Sequence, residues 1–339
     1  MRILNGTSSV SLQSTRYLSD ALIELGHEAD ILVYRSNSLL IGYEDININI
    51  DIKKHLKYPA YILKIMIVFL KCIFKYQVFH FHFGRTFFPC NLDLFVLHLL
   101  GKSIYMEYHG SEIRRKSIFK NMNDSLEYFS GVDDNVSYKL QKRISKFSNG
   151  ILVHDYELME NLYNLGKPVY LLPLRIDVGK FIPKYPESTD EICIVHAPSK
   201  RKTKGSQYIL KAIDNLSSRY KIKFILIEGV PNSELKKIIM ESDIVIDQLI
   251  IGSYGMYSIE SMAMGKPTVC YLREDLIDKF PEIPPIYNAN INNIEEKLEE
   301  LITDYSLRYD LGKRGRKYIE EFHDSRKIAK KALEIYRKY

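Results

Sequence analysis

A basic segment in the second half of the chain has residue types that can hold a phosphate group. HAPSKRKTKG at 196–205 follows an apolar stretch and contains Arg201, Lys204 and Gly205. An arginine binds phosphate oxygens through two N–H groups, a lysine adds a point charge, and a glycine lets a helix N-terminus approach. Such cations also stabilise the negative charge that grows on a departing phosphate. The alternative is a solvated basic turn, since neighbouring residues are lysines too.

A second segment, DQLIIGSYGMYSIESMAMGKPTV at 247–269, also follows an apolar strand and begins with a glycine-rich loop. Asp247 and Gln248 stand at the end of that strand. The backbone amides around Tyr254 and Gly255 are placed to face a phosphate, as in other glycine-rich loops. Loops that follow neighbouring parallel strands meet at one edge of a sheet, where α/β folds bind ligands. The two segments therefore predict one nucleotide site.

Two glutamates complete the candidate site on this half of the chain. Glu260 lies between small and apolar residues, one helical turn before Ala263, where a carboxylate suits hydrogen bonding to two ribose hydroxyls. Glu228 follows a predicted strand at 222–227 and is a further donor-binding candidate. An exposed helix carboxylate is the alternative for Glu260.

Together the segments resemble the GT-B fold retaining glycosyltransferases of family 4, also called glycosyl transferases group 1. That family carries an arginine and a Lys-Gly pair on one loop, and a glutamate followed by Ala-Met-x-x-Gly-x-Pro on the next. The matching residues in this chain are Arg201, Lys204, Gly205, Glu260, Met262, Ala263, Gly265 and Pro267. The resemblance implies an α/β protein with two Rossmann-like parallel-sheet domains that face each other across a cleft.

The resemblance also implies a reaction. A sugar would pass from a nucleotide diphosphate, UDP favoured over GDP, to a glycan or lipid-linked glycan, with retention at the anomeric carbon. Arg201 and Lys204 would stabilise the leaving phosphate, and Glu260 would hold the ribose. The family's setting is the synthesis of capsule, lipopolysaccharide or similar surface polysaccharide. One residue departs from the family pattern: Gly252 stands where a second glutamate faces the donor sugar, and Asp247 and Gln248 are candidate substitutes.

The first half of the chain supplies candidates at the ends of predicted strands. His109 ends the strand 103–108 and is followed by glycine; it resembles the family's His-Gly element, whose histidine lies beside the donor sugar. A structural histidine is the alternative. Glu112 and Arg114 follow on the same loop as acceptor-side candidates. Gly6 and Thr7 are also acceptor-side candidates, in an opening loop at 5–9 that is equally consistent with an ordinary turn.

A metal ion is not expected. His80 and His82 share a strand face, and His-x-His can ligate a metal, but no third ligand is near in sequence, so a structural role is favoured. The chain has no Asp-x-Asp, which argues against the metal-dependent GT-A type. We expect no cofactor, with the nucleotide sugar as a substrate.

Alternating strands and helices predict two domains. The acceptor-binding domain is placed at 1–172, beginning with a strand that ends at Leu4, and includes a helix at 156–164. The donor-binding domain is placed at 173–322. By the resemblance, the final helix at 323–339 packs back on the first domain; periodicity alone leaves it on either domain.

Composition excludes several classes of protein. The apolar share of 46% is that of an ordinary globular protein, and the net charge of +6 arises from a basic stretch between residues 51 and 150. The start lacks a secretory apolar core, and no apolar run reaches about 20 residues, so we expect a cytoplasmic protein without a membrane span. Nucleic-acid motifs are absent. Four scattered cysteines are expected to be buried, reduced thiols.

A stripe of lysines on one predicted helix leaves open whether the protein binds a membrane. Lys57, Lys64, Lys71 and Lys75 recur at helical spacing within the apolar segment 53–75. A helix packed on the sheet with lysines at its edge explains the pattern. A helix resting on anionic lipid, at the inner face of the membrane, explains it as well.

Two other functions stay open from the sequence. A GT-B nucleotide-sugar epimerase shares the architecture and needs no acceptor. A non-catalytic subunit that binds a nucleotide sugar is the third hypothesis, motivated by Gly252.

Overall fold

The chain forms two compact α/β units. A computed structural model describes residues 1–7, 12–35, 44–50, 58–120 and 131–338. Unit 1 comprises Met1–Arg175 with Ser325–Tyr339, and unit 2 comprises Ile176–Asp324. Among the described residues, no helix combines the length and the apolar character needed to cross a bilayer.

Unit 1 is built on a seven-stranded parallel sheet. Its strands are β1 (Arg2–Thr7), β2 (Glu28–Val33), β3 (Ile46–Asn47), β4 (Val78–His82), β5 (Ser103–Tyr108), β6 (Gly150–Val153) and β7 (Val169–Leu171), in the order β3-β2-β1-β4-β5-β6-β7. Its helices are α1 (Leu12–Glu24), α2 (Tyr58–Lys75), α3 (Asp93–Leu99), α4 (Lys116–Lys120), α5 (Asp134–Ser145) and α6 (Tyr156–Glu160), with the C-terminal α14 (Ser325–Tyr336).

Helices cover both faces of this sheet, because alternate strand residues are buried in different clusters. Leu4 and Phe79 pack with side chains of α2, α3 and α5. Ile3 and Val78 pack on the other face, with side chains of α1 and α14. Strands buried on both faces are near-continuous apolar runs, which is the pattern of a parallel sheet.

Unit 2 repeats the architecture with five parallel strands. These are β8 (Ile192–His196), β9 (Ile222–Leu226), β10 (Ile244–Ile246), β11 (Thr268–Cys270) and β12 (Tyr287–Asn288), in the order β12-β11-β10-β8-β9. The helices are α7 (Arg201–Lys204), α8 (Ser206–Ser217), α9 (Asn232–Met240), α10 (Met256–Ala263), α11 (Glu274–Ile277), α12 (Ile294–Thr303) and α13 (Tyr305–Phe322). Because β8 and β10 are paired neighbours, the loops that follow them meet at one sheet edge.

Some expectations about elements and burial were wrong. The strand β1 continues to Thr7 instead of ending at Leu4, since its Gly6 is paired with both Leu32 and Phe81. The helix expected at 156–164 ends at Glu160. All four cysteines are free, but Cys90 is exposed and Cys193 is only half-buried.

Candidate active site

The loop after β8 forms a short basic helix that a glycine ends. Residues Arg201–Lys204 make the single turn α7, and Gly205 then adopts a left-handed conformation with φ 75° before α8 begins. A Cβ added at Gly205 would lie 3.2 Å from Cβ of Leu249. Both the backbone angle and the close approach favour glycine here, so the two loops can pack together.

A buried ion pair joins the two loops at the sheet edge. Nζ of Lys204 lies 2.5 Å from Oδ1 of Asp247. The other carboxylate oxygen accepts a hydrogen bond from Ser258 of α10 at 2.7 Å. The backbone N–H of Leu249 also donates to the carbonyl of Lys204. The lysine is therefore fixed on α7 with its charge directed at the end of β10.

Lys204 controls the charge state of Asp247. The carboxylate is 1% exposed. Burial raises the pKa of Asp247, but the charge and hydrogen bond of Lys204, with the Ser258 hydrogen bond, outweigh it, so the pKa lies below its ordinary value. The carboxylate stays ionised at neutral pH, and Lys204 is the charge that compensates it.

Arg201 pairs with an exposed residue on the loop that follows β9. Its guanidinium binds both oxygens of Glu228 through Nε at 2.9 Å and a terminal nitrogen at 2.5 Å. The side chains are 52% and 43% exposed. An exposed pair of this kind contributes little to stability. Arg201 can therefore exchange Glu228 for an anionic ligand at low cost.

Gln248 organises the glycine-rich loop from inside. Its amide donates to the carbonyls of Ser253 and Tyr271, and its oxygen accepts from the N–H groups of Ile250 and Ile251 at 2.7 Å each. The side chain is buried. Both ends of the amide are thus occupied by backbone groups, and the structure places Gln248 as a support for the loop.

The conformation around Gly252 accounts for the departure from the family pattern. Gly252 has φ 82°, and a Cβ there would lie 2.4 Å from Cγ of Arg273. Arg273 in turn pairs with Asp275. A glutamate at position 252 would need a left-handed backbone and a displaced arginine. This loop therefore presents no carboxylate at that position.

The N-terminus of α10 is open to a ligand. Gly255 precedes it, no side chain of the described residues caps it, and its first turn has no acidic residue. A Cβ added at Gly255 would meet no atom of the described part of the chain within 4 Å. Helix N-termini favour anions because their first N–H groups and the helix dipole point outward. Tyr254 points the other way: its hydroxyl lies 2.9 Å from Nε2 of His323 inside unit 2.

Glu260 lies further along α10 and is 3% exposed. Nζ of Lys236, on α9, lies 3.6 Å from one of its oxygens. Lys236 also sits over the ring of Phe181, 4.2 Å from its centroid. The structure thus joins Lys204 and Asp247 to Ser258 in the first turn of α10. Arg201, on the same turn as Lys204, pairs with Glu228 on the loop after β9.

Sequence reasoning missed His196, the last residue of β8. Its ring lies 2.9 Å from the carbonyl of Ile246 through Nδ1 and 2.7 Å from Oγ of Ser206 through Nε2. Burial lowers the pKa of His196 to about 4, so the ring is neutral at physiological pH. It ties β8 to both β10 and α8. Its position at a strand end, as for His109, was the available signal.

In unit 1, His109 lies at the end of β5 and is half-buried. Its ring stacks on Phe83 with centroids 4.3 Å apart, and its Nε2 lies 3.1 Å from Nδ1 of His82. Burial lowers the pKa of His109 to about 3. The imidazole is therefore neutral at physiological pH and can act as a hydrogen-bonding group.

The other loop candidates of unit 1 have structural partners. One oxygen of Glu112 accepts the backbone N–H of His109 at 2.7 Å. Arg114 binds both oxygens of Glu157 and packs on Gly110. Gly6 lies within β1, where a Cβ would be 3.1 Å from the carbonyl oxygen of Leu32; Thr7 is the last residue of that strand.

His80 and His82 belong to a buried polar cluster. Together with Glu107 they have ligand atoms within 4.8 Å of one another. However, both oxygens of Glu107 are occupied by Arg175, at 2.8 and 3.0 Å. Nδ1 of His80 also lies 2.7 Å from the hydroxyl of Tyr336 on α14. The guanidinium of Arg175 is thus the cation that compensates Glu107 in this cluster.

Comparison with known proteins finds similarity along the whole chain. An uncharacterized glycosyltransferase of Methanocaldococcus jannaschii, MJ1607, is 20% identical over an alignment covering 94% of this chain and 92% of that protein. A second M. jannaschii protein of the same description, MJ1178, is 24% identical over 63% of this chain. No family model matches the chain.

Solved structures agree in fold. Sucrose-phosphate synthase from Thermosynechococcus elongatus superposes with a TM-score of 0.69 at 15% identity, covering 100% of this chain and 99% of that one. Anabaena HepE, solved in complex with UDP-glucose, gives a TM-score of 0.68 at 11% identity, covering 99% of both chains. The chain is a GT-B glycosyltransferase. The basic loop and the open helix of this glycosyltransferase lie in unit 2.

Proposed function

We propose that this glycosyltransferase transfers a sugar from a UDP-sugar, with a GDP-sugar as the second choice of donor, to a hydroxyl of a glycan or lipid-linked glycan. We place it in family 4, with retention of anomeric configuration, in the cytoplasmic synthesis of a surface polysaccharide. The observation that carries the proposal is that Lys204, on the same helical turn as Arg201, is linked through Asp247 to the first turn of α10 at one edge of the unit 2 sheet.

This arrangement supports departure of a diphosphate. Negative charge grows on the leaving phosphate, and groups held in place before the reaction stabilise it without further reorganisation. Lys204 is fixed by Asp247, and the α10 N-terminus is fixed by the loop that Gln248 holds. Arg201 leaves its exposed partner Glu228 to bind phosphate oxygens. In a retaining transfer, the departing phosphate then accepts the proton of the acceptor hydroxyl.

Further roles in the proposal follow from burial and charge. Glu260 hydrogen-bonds the ribose hydroxyls, exchanging its interaction with Lys236 for them. In unit 1, the neutral His109 is the candidate to hydrogen-bond a sugar hydroxyl. The transfer requires no metal, because cationic side chains and backbone amides compensate the diphosphate charge. We therefore expect that addition of EDTA leaves the transfer rate unchanged.

The donor choice is supported by similar proteins. HepE was solved with UDP-glucose and with UDP, and Staphylococcus aureus TarM, with a TM-score of 0.57, was solved with UDP. A putative UDP-N-acetylglucosamine 2-epimerase from Listeria monocytogenes superposes with a TM-score of 0.59 at 12% identity and supports an epimerase as the second candidate.

A thermal-shift screen across UDP- and GDP-sugars tests the proposal. A donor at about a hundred times its dissociation constant adds about 2.7 kcal/mol of stability. The identified donor is then incubated with and without glycan acceptors, and the products are analysed. Transfer that requires an acceptor supports the proposal, an epimerised sugar without acceptor supports the epimerase, and binding without turnover supports the non-catalytic subunit.

Matched variants locate the site. Arg201→Gln removes the phosphate contact and should abolish the shift, whereas Lys202→Gln, an exposed lysine on the same helical turn, should keep it. Equal shifts for Arg201→Gln and the wild type would contradict the assigned site.

A further inference from the structure

Helices α2 and α3 of unit 1 present a large apolar surface to solvent. Both cover the same face of the sheet, through inward residues such as Phe69 and Leu94. Their outward residues are also apolar, with exposed fractions from 38% to 81%. We define the α2/α3 face by these side chains: Ile62, Leu63, Met66, Ile67, Leu70 and Phe74 on α2, and Leu92, Phe95, Val96, Leu99 and Leu100 on and beside α3.

Exposed apolar side chains are concentrated on these two helices more than elsewhere in the protein. More than half of the exposed large hydrophobic side chains among the described residues lie on the α2/α3 face. Single exposed apolar residues are normal, but contiguous patches mark an interaction surface. Phe74, with 81% of its surface exposed, is the most exposed of them.

The exposed charges on the same two helices are all basic. Lys64, Lys71 and Lys75 are the charged residues of α2, and all three are exposed. The acidic residue of α3, Asp93, is buried and accepts hydrogen bonds from Thr86 and from the backbone of Phe87. An apolar surface that carries cations and no exposed carboxylate is complementary to a layer that is apolar inside and anionic at its surface.

We propose that the α2/α3 face docks on an anionic lipid bilayer. The apolar side chains enter the boundary between headgroups and acyl chains, and Lys64 and Lys71 bind lipid phosphates. Because α2 packs on the sheet through Phe69, Cys72 and Ile73, it lies in the membrane plane with its other side toward the lipid. The sequence suggested a membrane contact only for the segment 53–75, and the structure adds α3 to it. Residues 53–57 of that segment, with Lys57, lie outside the described part of the chain.

A second copy of the chain fits this surface less well. A twofold contact between two α2/α3 faces would bury lysines of one subunit beside those of the other, and neither helix has an exposed acidic side chain to pair with them, since Asp93 is buried. The charge pattern therefore selects lipid over self-association.

Vesicle binding tests the proposal with two pairs of variants. The wild type should co-sediment with vesicles of phosphatidylcholine and phosphatidylglycerol, less as salt rises, and weakly with phosphatidylcholine alone. Lys64→Gln with Lys71→Gln should weaken binding by about twenty-fivefold, since each lysine near an anionic surface contributes about fivefold. Lys75 is left intact because it pairs with Asp30. The matched control is Lys330→Gln with Lys331→Gln, two exposed lysines of α14 on the opposite sheet face.

A second variant tests the apolar contribution. Leu63→Gln with Phe74→Gln should reduce vesicle binding at least tenfold, with unchanged urea unfolding because both side chains are exposed. Transfer to a water-soluble acceptor should be unchanged in every variant, which separates this proposal from the proposed activity. Wild-type indifference to phosphatidylglycerol, or equal binding by the α2 and α14 lysine variants, would overturn it. A dimer in light scattering that Leu63→Gln with Phe74→Gln dissolves would instead assign the face to a second copy.

Discussion

Replacing Lys204 with methionine should separate its contribution to folding from its contribution to transfer. The lysine compensates the buried carboxylate of Asp247, which keeps only the Ser258 hydrogen bond when the cation is removed. Breaking a buried ion pair in this way costs about 3–5 kcal/mol. Because Lys204 is itself 18% exposed, we expect the lower end of that range, about 3 kcal/mol. For a unit of this size the thermal midpoint falls by about 10 °C.

A double variant distinguishes the two contributions. Lys204→Met combined with Asp247→Asn removes both charges, so most of the lost free energy of unfolding should return. The transfer rate should not return, since the leaving diphosphate still lacks its cation; we expect a rate about a hundred- to a thousandfold below the wild type. Lys202→Met, an exposed lysine two residues earlier, should change neither quantity.

The pH dependence gives an independent check of the same pair. The pKa of Asp247 is lowered in the folded wild type, so its stabilising contribution is present above its unfolded pKa of about 3.9 and is lost as the pH falls through the lower folded value. Without Lys204, burial raises that pKa, and protonation then stabilises the variant. The difference in free energy of unfolding between the two proteins should therefore shrink from about pH 7 to about pH 4.

These expectations are measured by urea unfolding and by steady-state transfer with the identified donor. Recovery of both stability and rate in the double variant would refute the catalytic role of Lys204. A stability difference that does not change with pH would refute the ion-pair argument.

Two other substitutions test the scaffold around the sites. Gly205→Ala should destabilise unit 2 by about 1–2 kcal/mol in urea unfolding, since φ is 75° and the new Cβ would approach Leu249; unchanged stability would show that the loops need no glycine there. Glu107→Gln should cost about 3–5 kcal/mol because it leaves the charge of Arg175 buried without its carboxylate. Addition of Arg175→Met should restore part of that loss, and a single variant as stable as the wild type would argue against the buried pair.

Much of the fold and part of the site could be predicted from local sequence patterns. Apolar runs separated by helical spacing predict parallel sheets, and the GT-B fold was confirmed. Arg201, Lys204 and Gly205 were recognised because phosphate binding needs their residue types on a loop between strand and helix. Whether they act in transfer stays a prediction.

The rest depended on contacts between residues distant in sequence. Nothing local shows that Lys204 pairs with Asp247, that Gln248 binds backbone on both sides, or that Arg273 covers Gly252. The exposure of the outward apolar residues of α3 could not be predicted either, because an apolar run does not show which of its side chains face solvent. These features depend on how segments distant in sequence pack together, which no local sequence pattern shows.

A crystal structure of the protein with UDP tests the central claim most directly. We expect the diphosphate oxygens within hydrogen-bonding distance of Nζ of Lys204 and of the backbone amides at the start of α10, with the ribose hydroxyls on Glu260. A diphosphate held away from Lys204 and from α10 would contradict the account.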